Sequence, residues 1–457
     1  MSAPGSTPEA PAATATAAEA PGGSAIPAQA PSAAPGVTPL RRNWRYQTLW
    51  AGSTTSLTGV TAADVAYPLV ILAMTGSPGL AGLFGFLQAT AMVLCGLPAG
   101  QVVDRCDRRR VMIAAESVRT ATAGTVALLF AVHQLTLQML LAAAVLLGAA
   151  QPFGGAARML LVRSVVAPEQ LTAALTQDEA RNSIAELVGP SLGGLLYGLG
   201  RALPFLFSAV SFLVSTACAI IVRPDSPPSA PASASASASA SAHSAASSAD
   251  RSAERDRGGI FAGVKVLWAD PALRATVVLV AFLNAAGAPL TLCSIYLLHR
   301  ESAPSWSIGL ALSGAAVGGL VGSTLVKPLH QRFRPGRLLV GIVAAEVPLE
   351  TTLGLAHTPW LVAAILFCGA LGIPSLGVLL DVLIFRQVPE QQRGRTITSA
   401  MTVIAVGVPL GTGAAGLLLQ YLGGTGALLA LAGTLACGAA WAASQPRLRA
   451  ARWPAAC

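Results

Sequence analysis

Acidic and basic side chains stand inside long apolar stretches of this 457-residue chain, at Asp64, Glu116, Arg119, Asp178, Glu179, Arg181, Glu186, Glu346 and Glu350. Charge is costly in hydrocarbon, so such residues mark the pathways of solutes, ions or protons. Asp64 lies near the middle of its stretch with no basic residue within helical reach. A carboxyl group so placed suits binding and releasing a proton; its alternative is a quiet hydrogen bond to neighbouring Ser or Thr. Asp178 and Arg181, like Glu116 and Arg119, are spaced i, i+3, which brings opposite charges to one helix face. The Glu116 pair is expected to neutralise itself. Arg181 and Glu186 are the more active candidates, Glu186 having no obvious local cation and sharing a face with Glu179. Glu346 and Glu350 are spaced i, i+4, so two like charges meet in a poorly solvated place, for coupling or for structure. Asn284, with Pro289, offers a polar contact and a flexible point.

The elements that hold these residues are membrane helices. Hydrophobic residues make up 53% of the chain and charged residues 11%, whereas a soluble domain carries roughly 25% charged residues. Apolar stretches long enough to span a bilayer are expected at 47–74, 78–102, 111–132, 137–160, 173–198, 202–222, 273–298, 306–329, 337–356, 360–384, 395–420 and 424–443. The predicted fold is an all-α integral membrane protein of twelve transmembrane helices in two pseudo-symmetric six-helix bundles. The net charge of +9 does not indicate a nucleic-acid partner, because of where the charges fall. Of 29 Lys and Arg residues, 25 lie in the two tails or in every second loop. Basic residues mark the cytoplasmic side, so both termini and these loops are expected in the cytoplasm of a multi-pass protein of the plasma membrane.

Residues 1–40 form an Ala/Pro-rich tail expected to be disordered, without the basic start and apolar core of a signal peptide. The two bundles are expected at 41–223 and 260–445, joined by a flexible Ala/Ser linker at 224–259 and followed by a tail at 446–457. A short amphipathic helix is expected over 260–270. Ala114-Ala115-Glu116 recurs as Ala344-Ala345-Glu346, and Gly100 with its basic loop has an echo in Gly322 followed by Lys327, Arg332, Arg334 and Arg337. Internal repeats of this kind are a common way to build secondary transporters.

Six of the seven residues Asp104–Arg110 are charged, so they cannot lie in hydrocarbon. Gly100, Asp104, Arg105, Arg108 and Arg109 resemble the motif A loop of the major facilitator superfamily, with Asp107 where that pattern has glycine. Gly189-Pro190-Ser191-Leu192-Gly193-Gly194 resembles the core of motif C, found in the proton-antiporter branch of the same family. Pro152, Leu160, Val165, Pro168-Glu169, Leu171 and Asn182 stand as in its enterobactin-exporter-like and macrolide-efflux-like members. The resemblance, with Asn43-Trp44-Arg45, covers nearly all of 40–445. It implies export of a small organic solute by alternating access, coupled to protons, with the solute, protons and the bilayer as partners and a monomeric state. It further implies a cytoplasmic gate at Gly100, Asp104, Arg105, Arg108 and Arg109. Gly189, Pro190, Gly193 and Gly194 would let one helix pack and bend, and Asp64, Asp178, Arg181, Glu186 and Glu346 would line the cavity or carry the coupling. An importer on the same fold, or a permease subunit served by a separate ATPase, are the alternatives.

Enzymatic chemistry is not expected. No Walker phosphate loop or His-Glu-x-x-His sequence is present. The seven cysteines are scattered without metal-ligand spacing, so no metal, cofactor or disulfide is expected.

Overall fold

A computed structural model describes residues 39–222, 267–387, 393–446 and 448. The predicted tail at the start of the chain, the 224–259 linker, most of the 260–270 helix and most of the final tail lie outside the described residues.

Every described element is helical. The first six helices are α1 (Trp44–Thr75), α2 (Pro78–Arg105), α3 (Arg108–Ala131), α4 (Leu137–Val165), α5 (Leu171–Leu199) and α6 (Leu203–Ile221). Then follow α7 (Pro271–Gly287), α8 (Leu290–Arg300), α9 (Ser305–Arg332), α10 (Pro335–Leu353), α11 (Pro359–Ala370), α12 (Ile373–Gln387) and α13 (Arg393–Ser444). Side chains close the exposed amide ends: Asn43, Ser77, Asp107 and Thr136 each cap the helix that follows. Such caps satisfy N–H groups that have no partner within the helix. Gly76 ends α1 at φ 65°, a left-handed conformation that glycine takes without steric cost, and the chain turns directly into α2. Gly423, at φ 71°, breaks α13 into two limbs.

The sequence expectation of single spans at 273–298 and 360–384 is modified in detail. The first is interrupted between α7 and α8 beside Pro289, and the second between α11 and α12 beside Gly372 and Pro374. Proline cannot donate to the helical ladder. Eight helical segments among the described residues are long and apolar enough to cross a membrane: α1, α2, α4, α6, α7 with α8, α9, α11 with α12, and α13. Helices α3, α5 and α10 fall outside that set, and they are the ones that carry Glu116, Arg119, Asp178, Arg181, Glu186, Glu346 and Glu350.

Helix α1 packs on α5 and α6, α2 on α4, and α3 on α4 and α6. In the later part α9 packs on α11, and both α7 and α10 pack on α13. Two large contacts join the early helices to the later ones, α5 with α9 and α2 with α13. At the short-loop end, Tyr67 stacks on Phe84 at 4.6 Å and meets Phe205 at 4.9 Å, tying α1, α2 and α6 through aromatic contacts.

Candidate functional site

Helix α5 is placed by glycines on two different faces. A Cβ on Gly189 would collide with Thr61 Oγ1, and one on Gly193 with the carbonyl of Ala62, so this face is closed against α1. The adjoining face meets α9: a Cβ on Gly194 would lie 3.0 Å from Gly309 Cα, and Gly309 itself rests on the carbonyl of Pro190. Small residues at four-residue spacing allow such backbone approach. Two polar bonds reinforce it. Ser191 Oγ and Ser313 Oγ are 2.7 Å apart, and Ser313 Oγ donates to the Leu187 carbonyl at 2.7 Å. Gly189-Pro190-Ser191-Leu192-Gly193 also has Gly-x-Ser-x-Gly spacing. It lies inside a helix rather than on a strand-to-helix turn, so the spacing carries no hydrolase chemistry.

The α2–α13 contact is built the same way. A Cβ on Gly416 would lie 2.7 Å from Gly82 Cα, and Ser77 Oγ donates to Gln420 Oε1 at 2.8 Å. Gly407 and Gly411 of α13 seat against the carbonyls of Ala281 and Ala285 in α7. These glycines were missed by sequence reasoning, although Gly407-x-x-x-Gly411 is a readable signal of close helix approach. The contacts at Ser77–Phe86, Leu187–Gly194, Ser305–Ser313 and Thr412–Gln420 all lie toward the short-loop ends of their helices. Toward the other end of α2, a side chain on Gly96 or Gly100 would meet nothing within 4 Å among the described residues.

Inside the early helices, buried charge is arranged in two groups around a cavity of about 170 Å³. In the first, Arg119 Nη1 lies 2.9 Å from Glu116 Oε1, and Ser56 Oγ donates to Glu116 Oε2 at 3.1 Å. The Arg119 guanidinium stacks over Phe212 at 4.1 Å, so the charge is satisfied on one side by an ion pair and on the other by a ring face. In the second group, Asp178 accepts from Arg158 Nη1 at 2.9 Å, while Arg181 Nε stands 3.6 Å from its other oxygen. Arg181 is buried and spends its remaining donors on the Ser53 carbonyl, at 3.2 Å, and Asn182 Oδ1, at 2.9 Å.

This revises one expectation. The stronger partner of Asp178 is Arg158 on α4, not Arg181 one turn away. Arg158 falls within the expected 137–160 span and lies inside α4, which runs on to Val165. Local spacing could not reveal a partner on another helix.

Asp64 is accessible and lines a small cleft with Tyr67, Gln88, Arg119 and Gln151. Arg119, bound to Glu116, is the cation nearest in that cleft. Glu186 is exposed, and Glu179 accepts from Asn182 at 3.5 Å. Glu346 is not in this group. It projects from α10 into a separate cavity of about 280 Å³ among the later helices, together with Glu350 and Asn284. No group of residues with metal-ligating composition occurs among the described residues.

Comparison with known proteins places this architecture. The Major Facilitator Superfamily model matches residues 49–345, which run from α1 into α10. The chain belongs to the Major Facilitator Superfamily. It is therefore a multi-pass membrane protein of a transporter family. The multidrug efflux pump Tap of Mycobacterium tuberculosis is 25% identical over 84% of this chain and 89% of its own length. Macrolide efflux protein A of Streptococcus pyogenes is 29% identical over 34% of this chain and 39% of its own. In fold, the chain is similar to a bacterial homolog of the human lysosomal transporter Spinster, in an inward-facing and unoccupied conformation. The TM-score is 0.69, at 14% identity, covering 92% of this chain and 100% of that one. A bacterial homologue of the iron transporter ferroportin in an inward-facing state gives a TM-score of 0.63, at 17% identity, over 88% and 100%.

The superfamily loop between α2 and α3 takes a definite form here. Asp107, which departs from the family pattern, caps α3: its carboxylate accepts from the Arg109 amide at 2.9 Å and stands 3.6 Å from Arg110 Nε. Arg109 reaches across to α6, donating from Nε to the Ala219 carbonyl at 3.0 Å and from Nη2 to the Ile220 carbonyl. A cation is favourable at a helix carboxyl end. Asp104, Arg105 and Arg108 are exposed, and Asp104 has no polar partner among the described residues. The start of α1 is anchored nearby, Asn43 Nδ2 donating to the Val165 carbonyl at 2.7 Å and Tyr46 Oη to that of Ala174 at 3.1 Å.

Proposed function

We propose that this superfamily member is a secondary active exporter of small organic solutes of the drug or antibiotic type, working in the plasma membrane by alternating access. Twelve spans form two six-helix bundles, 41–223 and 260–445, with both termini cytoplasmic. The observation that carries alternating access is the one-ended contact between early and later helices. The α5–α9 and α2–α13 seams are tight toward the short-loop ends, whereas Gly96, Gly100 and Asp104 toward the basic end stand clear. With the basic end in the cytoplasm, this is a carrier closed to the outside and open within.

Export as the direction follows from the relatives, whose names are those of efflux proteins. Proton coupling is supported by Asp64, an acidic group inside the membrane whose nearest cation is already held by Glu116. Exposed Asp104, Arg105 and Arg108 would form charge contacts across the cytoplasmic gap when the carrier reverses. Arg109 and Asp107 would hold the loop's two flanking helices in place meanwhile. The Arg158–Asp178–Arg181 group, with Glu186 on the same helix, would line the solute's path.

The test is accumulation of a panel of antibiotics and dyes in cells with and without this chain, repeated with a proton uncoupler. Lower accumulation that the uncoupler abolishes is the expected result. Higher accumulation in cells that carry the chain would overturn export, and efflux that stops on ATP depletion but survives the uncoupler would overturn proton coupling.

A further inference from the structure

The cavity among the later helices has a chemistry that the early helices lack. Glu350 is 2% exposed, and both of its carboxylate oxygens are buried without a hydrogen-bond partner. It faces a space of about 280 Å³ bounded mainly by Leu, Ile, Ala and Gly, with Asn284 and Thr291 as the other polar side chains. Glu346, one turn earlier on α10, lines the same space. No Lys, Arg or His borders it among the described residues.

The comparison with the first half sharpens the point. Ala344-Ala345-Glu346 repeats Ala114-Ala115-Glu116, but Leu349 stands three residues on, where the first half has Arg119. Glu116 thus has its cation at 2.9 Å, and the carboxylates of α10 have none among the described residues. A buried, unpaired carboxylate is strongly unfavourable as the anion, so it either holds a proton or exchanges that proton for a supplied positive group. Here the walls are apolar and the charge demanded is positive.

A route leads to it. A second, more open groove of about 330 Å³ adjoins the cavity across Ile342, Glu346, Leu349 and Gly369, and extends to Phe333 and Arg337 at the basic end of α10. Glu346 borders both spaces and so stands at the passage between them. A hydrophobic cation from the surrounding apolar phase would meet Glu346 first and Glu350 next.

We propose that this cavity is a binding site for a lipophilic organic monocation, whose charge is neutralised by Glu350 and Glu346 and whose apolar body fills the space bounded by α7, α9, α10 and α11. The site rests on the export reading, because it names one class of cargo. Asn284, whose amide donates to the Ile404 carbonyl at 3.3 Å, keeps its own oxygen available to the ligand. Neutral solutes would occupy the apolar part without drawing on either carboxylate.

The test is equilibrium binding of tetraphenylphosphonium to the purified full chain in lipid nanodiscs, beside its neutral analogue triphenylphosphine oxide. Charge-assisted contacts in an apolar site are strong, and Glu350→Gln is expected to weaken the cation about tenfold or more while leaving the neutral compound unchanged. Glu350→Gln is isosteric and adds no volume to the cavity, so its fold is not at risk. Glu350→Asp, which keeps the charge but shortens the reach, should bind the cation with intermediate strength. Unchanged cation binding in Glu350→Gln overturns the site, as does an equal loss for cation and neutral compound. Flux in vesicles is read separately. A chain whose cation binding depends on Glu350 but which moves no solute would refute export and support the site.

Discussion

Gly194 of α5 and Gly309 of α9 meet backbone to backbone: a Cβ built on Gly194 would lie 3.0 Å from Gly309 Cα, and one on Gly309 would strike the Pro190 carbonyl. Packed backbone leaves no side chain to yield, so Gly309→Val must push the two helices apart at this end. Overpacking a close seam typically costs about 1–3 kcal/mol, and in the proposed cycle that cost falls on the outward-closed state alone. The expected result is a folded protein, monodisperse in detergent, that retains drug binding while its flux falls. Flux equal to wild type in Gly309→Val would remove the seam from the transport cycle.

The same seam can be locked instead of opened. Ser191 Oγ and Ser313 Oγ are 2.7 Å apart, close enough that cysteines at both positions should oxidise to a disulfide in a background lacking the other thiols. Transport in vesicles is expected to stop on oxidation and return on reduction. Efficient cross-linking without loss of flux would mean that this contact need not separate during transport.

Much of the architecture was legible because lipid tolerates few charges. The apolar stretches located the helices to within a few residues, and the basic clusters divided their ends into two sets. The charged helices α3, α5 and α10 were equally visible. What could not be read was which residues on different helices meet. Nothing in the sequence pairs Arg158 of α4 with Asp178 of α5, and Gly407 and Gly411 show their partner only where α7 lies against them. Rotation of a helix about its axis decides such pairings, and one sequence contains no record of it. The reverse held for Asp107. Its departure from the family's glycine is explained locally, since an aspartate before Arg108–Ala131 is a sound amino-terminal cap.

That cap gives a graded prediction. Asp107→Gly restores the family's residue and should lower thermal stability by only a few tenths of a kcal/mol, whereas Asp107→Ala should cost about 1 kcal/mol. Transport should persist in both. Loss of transport in Asp107→Gly at unchanged stability would give Asp107 a part in the gate itself.

The Arg158–Asp178 pair, at 2.9 Å and with side chains 19% and 14% exposed, is more consequential. Asp178→Asn leaves Arg158 and Arg181 facing each other without a counter-charge, and breaking a buried pair this way costs on the order of 3 kcal/mol. Removing Arg158 as well should recover part of the loss. A double-mutant cycle of Arg158→Gln and Asp178→Asn on unfolding in detergent measures the coupling, and a coupling near zero would mean that the two charges are independently solvated.

Asp64→Asn bears most directly on energy coupling. The substitution preserves side-chain volume and the capacity to bond Gln88 or Gln151 in the cleft, and removes only the ability to take up and release a proton. Because an ionised carboxylate is costly in this setting, the folded protein should be at least as stable as wild type. Solute binding and exchange of labelled for unlabelled solute across vesicles, which need no net proton movement, should persist. Accumulation against a gradient should fail, and addition of solute should no longer release protons to a pH-sensitive dye. The two readouts separate coupling from binding: loss of exchange together with uphill transport would make Asp64 part of the solute site. Uphill transport at the wild-type rate would take Asp64 out of the mechanism and turn attention to Glu186, an exposed carboxylate on α5.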